Sequence, residues 1–405
     1  MGAPLEMNRD FARDIFKVIR EVLENRRHAS SVISEVLSDR PLWSDRKRAL
    51  FSNTCYDIIR NWRLLWNILG RDPDFDERSL WHLLGAYQIM MKEDLSKRKE
   101  YQGLAPEKVK SRLKRSGKNR AVRESIPNEL DLVGERELGD DWDDIIHSLN
   151  SYAPLAVRAN TLLSDRDRLK RILMNEGFDS DIVEWAPDAL VLRKKGNVFK
   201  LKSFHEGLFE VQDPSSQSVS PFLQPEPGMR IVDACAGQGG KALHLSALMN
   251  NKGQIIAMDD VDWKLKELMK RASKAGAGNI RTVHVTGTKS YKRMKKTADR
   301  VLLDVPCTGL GALRKNPDIK WTFSMDTLDR LLGLQREILD NYYTLVKEGG
   351  KMVYATCSVL PSEGEEQVKW FLENNEGWSL EEERRLRPDR DSFDGFYMAR
   401  LVRNG

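Results

Sequence analysis

The rhythm of hydrophobic and polar positions changes three times along this chain. From residue 8 to 91 apolar residues recur at helical spacing. Phe11, Ile15, Val18, Ile19, Val22 and Leu23 form one stripe at i, i+4, i+7 and i+8. Ser44 is placed to cap the next helix, which carries Leu50, Ile58, Ile59 and Trp62. Asp76 is placed to cap a third, with Leu80, Leu83, Leu84, Tyr87 and Met91. An all-helical domain over 1–91 is expected, with Cys55 as a small buried hydrophobe among its stripes. Residues 92–126 lose the apolar period, are rich in Lys and Arg, and read as a mobile loop or linker ending at Ser125-Ile126-Pro127. Residues 127–215 look mixed. Acidic helical stretches (Glu129–Asp144, Asp165–Gly177) alternate with short strands at Ala189–Leu192 and Arg158-Ala159-Asn160-Thr161-Leu162, which suggests a small α+β domain.

From 216 to 405 strands and helices alternate. Strands are expected at Arg230–Cys235, Gln254–Met258, Ile280–Val285, Arg300–Asp304, Lys351–Thr356 and Gly395–Leu401. Helices are expected at Lys241–Met249, Asp262–Ala275 and Met325–Val346. This spacing predicts a doubly wound, Rossmann-like parallel sheet. Ligands of such sheets bind outside the carboxyl ends of the strands.

Composition narrows the class. At 405 residues, two or three domains are expected. The chain is 40% hydrophobic and 31% charged, as in soluble globular proteins. No apolar run approaches the roughly 20 residues that span a bilayer, so no membrane role is expected. Met1-Gly2-Ala3-Pro4-Leu5-Glu6 lacks an apolar core and reads as a remnant ahead of Met7, not a secretory signal. The four cysteines form no C-x-x-C pair and no His stands at zinc spacing, so no metal is expected. Scattered thiols of this kind suit a reducing cytoplasm. Net charge is +5, unevenly spread. One basic run extends from Lys92 through Lys97, Arg98 and Lys108 to Arg123. A second holds Lys289, Lys292, Arg293, Lys295, Lys296 and Arg300. Each is either solvated surface or a phosphate-binding face.

The chemistry-bearing residues lie at the ends of the expected strands. Asp233-Ala234-Cys235-Ala236-Gly237-Gln238-Gly239-Gly240-Lys241 joins the first strand of the sheet to its first helix. Its glycines permit positive φ and close backbone approach. It is neither G-x-G-x-x-G nor a Walker loop, because Ala242 follows Lys241. Asp259, at the end of the second strand, is placed to bond a ribose or to cap a helix, and Asp260 offers the same options. Asp304-Val305-Pro306-Cys307 sets a carboxylate near a thiol, which suits a reacting heteroaromatic ring. The alternative is a helix-capping Asp beside an inert Cys. Thr356-Cys357-Ser358 repeats the arrangement on the next strand. A thiolate needs basic neighbours, and Lys241, Arg314 and Lys320 are the candidates. None of the six His adjoins either Cys, which argues against a Cys–His pair.

Asp-Ala-Cys-Ala-Gly-Gln-Gly-Gly-Lys, Asp-Val-Pro-Cys-Thr-Gly and Ala-Thr-Cys-Ser, in that order, resemble the RNA 5-methylcytosine methyltransferases, the family of small-subunit methyltransferase B and its Nop/Sun relatives. Further matches are Gln212-Asp213-Pro214-Ser215-Ser216-Gln217, Arg314 to Trp321, Ser358-Val359-Leu360-Pro361 with Glu363, Glu365 and Glu366, and Asp394-Gly395-Phe396. The resemblance covers about 125–402. It implies a class I methyltransferase fold with S-adenosylmethionine as methyl donor. Cys235, Ala236, Gly237, Gln238, Gly239, Gly240 and Lys241 would wrap the methionine end of the cofactor, beside Asp304. Asp259 or Asp260 would hold its ribose. Cys357 would attack C6 of cytosine, Asp304 would bond N3, and Cys307 would help release the adduct, with Lys241 close to the reacting centre. Two departures stand out. Ala236-Gly237-Gln238 replaces the usual Ala-Pro, and Thr286 stands where an Asp usually meets the adenine. The N-terminal helices resemble, more loosely, a NusB-like RNA-binding domain, and 127–215 the family's small RNA-facing domain. The expectation is therefore a monomeric, cytoplasmic RNA cytosine-C5 methyltransferase acting on small-subunit ribosomal RNA. A tRNA enzyme and a non-catalytic RNA-binding assembly factor are the alternatives. An amino-group methyltransferase fits less well, since Pro306 is followed by Cys307 and not by Pro and an aromatic residue.

Overall fold

The computed structural model describes residues 8–93, 95, 99–194 and 196–404. The stretch 1–6, expected as a remnant, and the cations Lys97 and Arg98 lie outside the described residues. The chain forms two compact units. One is Met1–Ser151 with Leu313–Met325; the other is Tyr152–Ala312 with Asp326–Gly405. Among the described residues no helix is long and apolar enough to cross a membrane.

The first unit is helical. Arg9–Leu23 buries Phe11, Ile15, Val18, Ile19 and Val22, the stripe read from the sequence. Ser44 Oγ caps Asp45–Arg60 by accepting from the Lys47 N–H (3.4 Å), and the Asp76 carboxylate caps Glu77–Met90 from the N–H groups of Arg78 and Ser79. Cys55 is fully buried, and burial pushes its thiol well up. Two helices escaped the sequence reading, Ala29–Ser38 and Trp62–Leu69. Both are short, and the first opens on two serines that blur its period.

Residues 92–126 correct the expectation of a linker. They carry the helix Pro106–Arg115 and the short helix Arg120–Arg123. Val109 and Tyr101 are buried in the helical core, and the Tyr101 hydroxyl donates to Gln88 Oε1 (2.5 Å). Arg112 donates to the Leu69 carbonyl (2.5 Å) just before the left-handed Gly70 that ends Trp62–Leu69. The segment was illegible because few apolar side chains anchor it amid cations. Nor does a compact unit end at 127, since the first unit runs on through Asn128–Leu138 and Trp142–Leu149 to Ser151.

The second unit holds two sheets. The smaller has β1 (Leu155–Ala159), β2 (Ser180–Ile182), β3 (Ala189–Leu192) and β4 (Phe209–Val211), in the antiparallel order β2-β3-β1-β4. The strand expected at Arg158–Leu162 ends at Ala159. Asn160 turns the chain instead, its Nδ2 donating to the carbonyls of Gly207 (2.8 Å) and Ala275 (2.9 Å).

The larger sheet has β5 (Arg230–Asp233), β6 (Gln254–Asp259), β7 (Ile280–His284), β8 (Ala298–Asp304), β9 (Val346–Thr356), β10 (Trp378–Leu386) and β11 (Phe396–Arg403). Its order is β10-β11-β9-β8-β5-β6-β7. Strands β5 to β9 pair in parallel, as expected, but β11 runs antiparallel to both β9 and β10, so the sheet is mixed. Strand β10 escaped the sequence reading because its centre is Glu-Glu-Glu-Arg-Arg. Charged edge strands resist stray pairing, and here Glu381 pairs with Lys351 (2.7 Å) and with Arg400. Apolar clusters line both faces of the sheet. The chain order reverses between β5 and β8, which opens a crevice at their carboxyl ends.

Candidate active site

Strands β8 and β9 deliver the two cysteines side by side. They pair in parallel with Asp304 level with Ala355, and Val305 N–H donates to the Ala355 carbonyl (3.0 Å). Just beyond, Cys307 Sγ lies 3.5 Å from Cys357 Sγ, and both thiols are free. The contact with Cys357, then burial, raises the Cys307 thiol well above its ordinary value. The loops are also joined by backbone: Gly311 N–H donates to the Cys357 carbonyl (2.9 Å), and Gly395 N–H to the Gly311 carbonyl (2.9 Å). A Cβ at Gly311 would stand 2.1 Å from the Gly395 oxygen, so only glycine allows this approach.

Lys241 opens the helix Gly240–Leu248. Its Nζ donates to Asp304 Oδ2 (2.5 Å) and lies 5.3 Å from the centre of the Phe396 ring. A cation and a carboxylate thus pair at the strand end that precedes Cys307. Asp233, at the end of β5, is 1% exposed, and neither carboxyl oxygen makes a well-formed hydrogen bond. Burial, reinforced by the Asp304 charge, pushes it up to about 7.

Beside these groups is a cavity of about 500 Å³. Cys235, Gly237, Asp259, Asp260 and Asp304 all line it. Asp259 also braces the Gly-rich turn. Its Oδ2 accepts from Gly237 N–H (2.9 Å) and its Oδ1 from Val261 N–H (2.9 Å), just ahead of the helix Asp262–Ala275. Gly237 has φ +53 and open space where a Cβ would be. Ala236, Gln238, Gly239 and Gly240 lie outside the lining and act through the backbone. Ala236 N–H donates to Met258, Gln238 accepts from Arg271 (2.7 Å), Gly239 is left-handed, and Gly240 accepts from the buried Arg158 (2.7 Å). Thr286 is not in the lining either. Its N–H donates to Ser290 Oγ (3.2 Å), while Val285, Gly287 and Thr288 face the cavity. Sequence reasoning missed Tyr291 and Tyr342, which complete the wall. Both lie outside any motif, so nothing in the sequence marked them.

Two expected cations serve elsewhere. Arg314 and Lys320 belong to the first unit, where Arg314 Nε donates to the Ser148 carbonyl (2.8 Å) and Lys320 Nζ to the Arg60 carbonyl (2.6 Å). Of the three candidates, Lys241 is the one in the second unit, where it pairs with Asp304. Among the described residues no group of His, Cys, Asp and Glu is arranged to hold a metal.

Among the described residues the cavity is lined by Asp259, Asp260, Asp304 and Glu337 against the single cation Lys264. With the buried carboxyl of Asp233 nearby, it suits a ligand that is itself cationic, as a sulfonium bearing an ammonium group is. Such a cavity, at the switch point of a sheet with one antiparallel strand inserted beside its edge, defines a class I methyltransferase that takes S-adenosylmethionine as methyl donor. Residues 220–402 match the family described as "16S rRNA methyltransferase RsmB/F", and 135–199 match its ferredoxin-like domain. A protein of Synechocystis sp. described as "Probable ribosomal RNA small subunit methyltransferase B" is 30% identical over 90% of this chain and 90% of its own. The solved structure of PH0851 is 26% identical, with a TM-score of 0.82 over 98% of this chain and 99% of that one. A solved methyltransferase homologue from Pyrococcus horikoshii is 27% identical, with a TM-score of 0.63 over 70% of this chain and 97% of its own. The chain belongs to the RsmB/F family of RNA methyltransferases.

Proposed function

We propose that the protein methylates C5 of cytosine in small-subunit ribosomal RNA through a covalent adduct on Cys357. The observation that carries this reading is the pair of free thiols 3.5 Å apart, beside a half-buried Lys–carboxylate pair. C5 of cytosine is not nucleophilic by itself. Attack of the Cys357 thiolate on C6 forms an S–C6 bond and makes C5 enamine-like. Asp304 hydrogen-bonds the ring at N3, and the Lys241 ammonium offsets the charge there. S-adenosylmethionine, when bound, would supply the electrophilic methyl group that C5 takes. Cys307, in its ionised form, then takes the C5 proton and becomes a thiol, the S–C6 bond breaks, and Cys357 leaves as the thiolate.

Cys235, Gly237 and Asp259 would hold the cofactor, with Asp260 and Asp304 at its flanks. Val285 and Gly287, not Thr286, would meet its adenine. The ribosomal assignment is supported by the Synechocystis relative, which carries that name. In the helical unit, Lys108, Lys114, Arg115 and Lys118 are exposed, and Arg112, Arg115 and Lys118 line a cleft of about 320 Å³ with Asn67. This face would take RNA phosphates. A target base must be unstacked to reach the thiols, so single-stranded or opened RNA is the substrate form. The reading places the enzyme in the cytoplasm, as a monomer.

Bisulfite sequencing of total RNA from cells with and without this gene tests the proposal. Loss of one or a few protected cytosines in ribosomal RNA is expected. Loss confined to tRNA would reassign the substrate, and no change in either would refute the cytosine reading.

A further inference from the structure

A buried polar knot ties the two cysteine loops together. Glu363 lies in the turn after Cys357 and is fully buried. Its Oε1 accepts from the Thr308 N–H (2.8 Å) and from Gln335 Nε2 (3.0 Å), and its Oε2 accepts from the Thr308 hydroxyl (2.5 Å). Gln335, also fully buried, shares its Nε2 with the Pro306 carbonyl (3.0 Å). Tyr354, on β9, donates its hydroxyl to the Glu363 carbonyl (2.8 Å). The residues on either side of Cys307 are thus gripped by one carboxylate–amide pair, and that carboxylate comes from the loop that carries Cys357.

All these donors are neutral. A carboxylate without exposure is costly to bury, and a neutral side chain of the same shape would satisfy most of these bonds. A carboxyl group placed here, joining the two cysteine loops, has a task beyond holding the fold.

We propose that Glu363, with Gln335, is a positioning residue for the release step, setting where the Cys307 thiol stands relative to an adduct on Cys357. The inference rests on the covalent reading above. Its energetic sense is that Cys307 must accept a proton from C5 without itself attacking the ring. Glu363 fixes the thiol by both flanking residues, and its negative charge adds to the Cys357 contact and burial in raising that thiol. Once ionised, the more basic thiolate is the better proton acceptor, and it ionises only at higher pH.

The test uses the full chain with a small-subunit ribosomal RNA transcript and labelled S-adenosylmethionine. Three quantities are measured: single-turnover methyl transfer, multiple-turnover kcat, and protein–RNA adduct that survives denaturant. Glu363→Ala is expected to lower kcat roughly thirtyfold, by loss of charged hydrogen bonds, with the KM for RNA nearly unchanged and adduct accumulating. Glu363→Gln keeps the shape. It should restore most of kcat while moving the pH dependence of release to lower pH. Should Glu363→Ala fold poorly, Thr308→Ala removes one bond and should still cost roughly fivefold in turnover, with adduct accumulating. Adduct formation falling in step with kcat in each variant, or a Glu363→Gln pH profile identical to the parent's, would overturn the proposal. Cys307→Ala is the reference. If that variant forms no adduct and the parent methylates no cytosine, the covalent reading itself fails. If Cys307→Ala traps RNA and the Glu363 and Thr308 variants do not, only the positioning role fails.

Discussion

Lys241 and Lys320 are both buried, and they live by opposite rules. Lys241, at the crevice of the second unit, faces the Asp304 carboxylate at 2.5 Å. Lys320, in the helical unit, is 1% exposed and meets only neutral acceptors, the Arg60 carbonyl (2.6 Å) and Asn150 Oδ1 (3.0 Å) most closely. Burial, helped by the Arg60 charge, drives Lys320 well below its ordinary value. Its neighbours in sequence dock the same way, with Trp321 Nε1 donating to the Ile59 carbonyl (2.7 Å) and Asp318 accepting from the Ala29 N–H (3.2 Å). The segment Arg314–Trp321, which follows Cys307 in the sequence, is a plug in a helical core. Burial of a charged residue is therefore no mark of chemistry by itself.

The contrast can be broken at several points. The largest effect is expected from Cys357→Ala, which should reduce methyl transfer by at least about a thousandfold while leaving the thermal midpoint within a few degrees. Substantial activity in that variant would remove the nucleophile assignment. Next, Lys241→Met should lower kcat roughly a hundredfold with little change in stability, because it uncouples Asp304. Lys320→Met should instead act on stability. A lysine whose folded value is depressed binds fewer protons folded than unfolded, so its cost is lost as pH rises towards about 10.4. The parent's stability should thus gain a rising slope in alkaline solution that Lys320→Met lacks, read from denaturant melts at pH 7 and 9.5. Identical slopes would show that Lys320 is charged in the core.

Asp233 gives a smaller effect of the opposite slope. Its folded value of about 7 lies above that of an unfolded carboxyl near 4, so the folded state retains a proton that the unfolded chain releases. Its contribution falls as pH rises through that window and stays lost above it. Asp233→Asn should therefore stabilise the ligand-free protein by roughly 2 kcal/mol at pH 8 and hardly at all at pH 4, while weakening cofactor binding. Calorimetry at the two pH values checks the first part and cofactor titration the second. The smallest effect is expected at the helical unit's basic face. Changing Lys108, Lys114, Arg115 and Lys118 to Ser should flatten the salt dependence of RNA binding by up to about 0.7 per lost phosphate contact on a log–log plot. An unchanged slope would make that face plain surface.

Features set by neighbours in the chain, or by the end of a strand, are legible in the sequence itself. The helical stripe of Phe11 to Val22, the caps Ser44 and Asp76, the parallel strands β5 to β9 and the strand-end positions of Asp304, Cys307 and Cys357 all follow from local period and spacing. Their side chains point where the backbone repeat sends them. The strand β10 and the helix Pro106–Arg115 were hidden because charged side chains dominate them and their anchoring partners lie far along the chain.

What only the tertiary structure decided is which distant groups meet. The sequence determined that a Gly-rich turn, an acidic strand end and two thiols would gather at the carboxyl edge of one sheet, because parallel strands can deliver them nowhere else. Tertiary packing decided that Lys241 finds Asp304 while Lys320 finds Arg60. It also decided that Tyr291 and Tyr342 close the cavity and that Glu363 reaches across to Thr308. Each of those pairings bridges two loops or elements whose mutual approach is set by the core between them, and no local period encodes that distance.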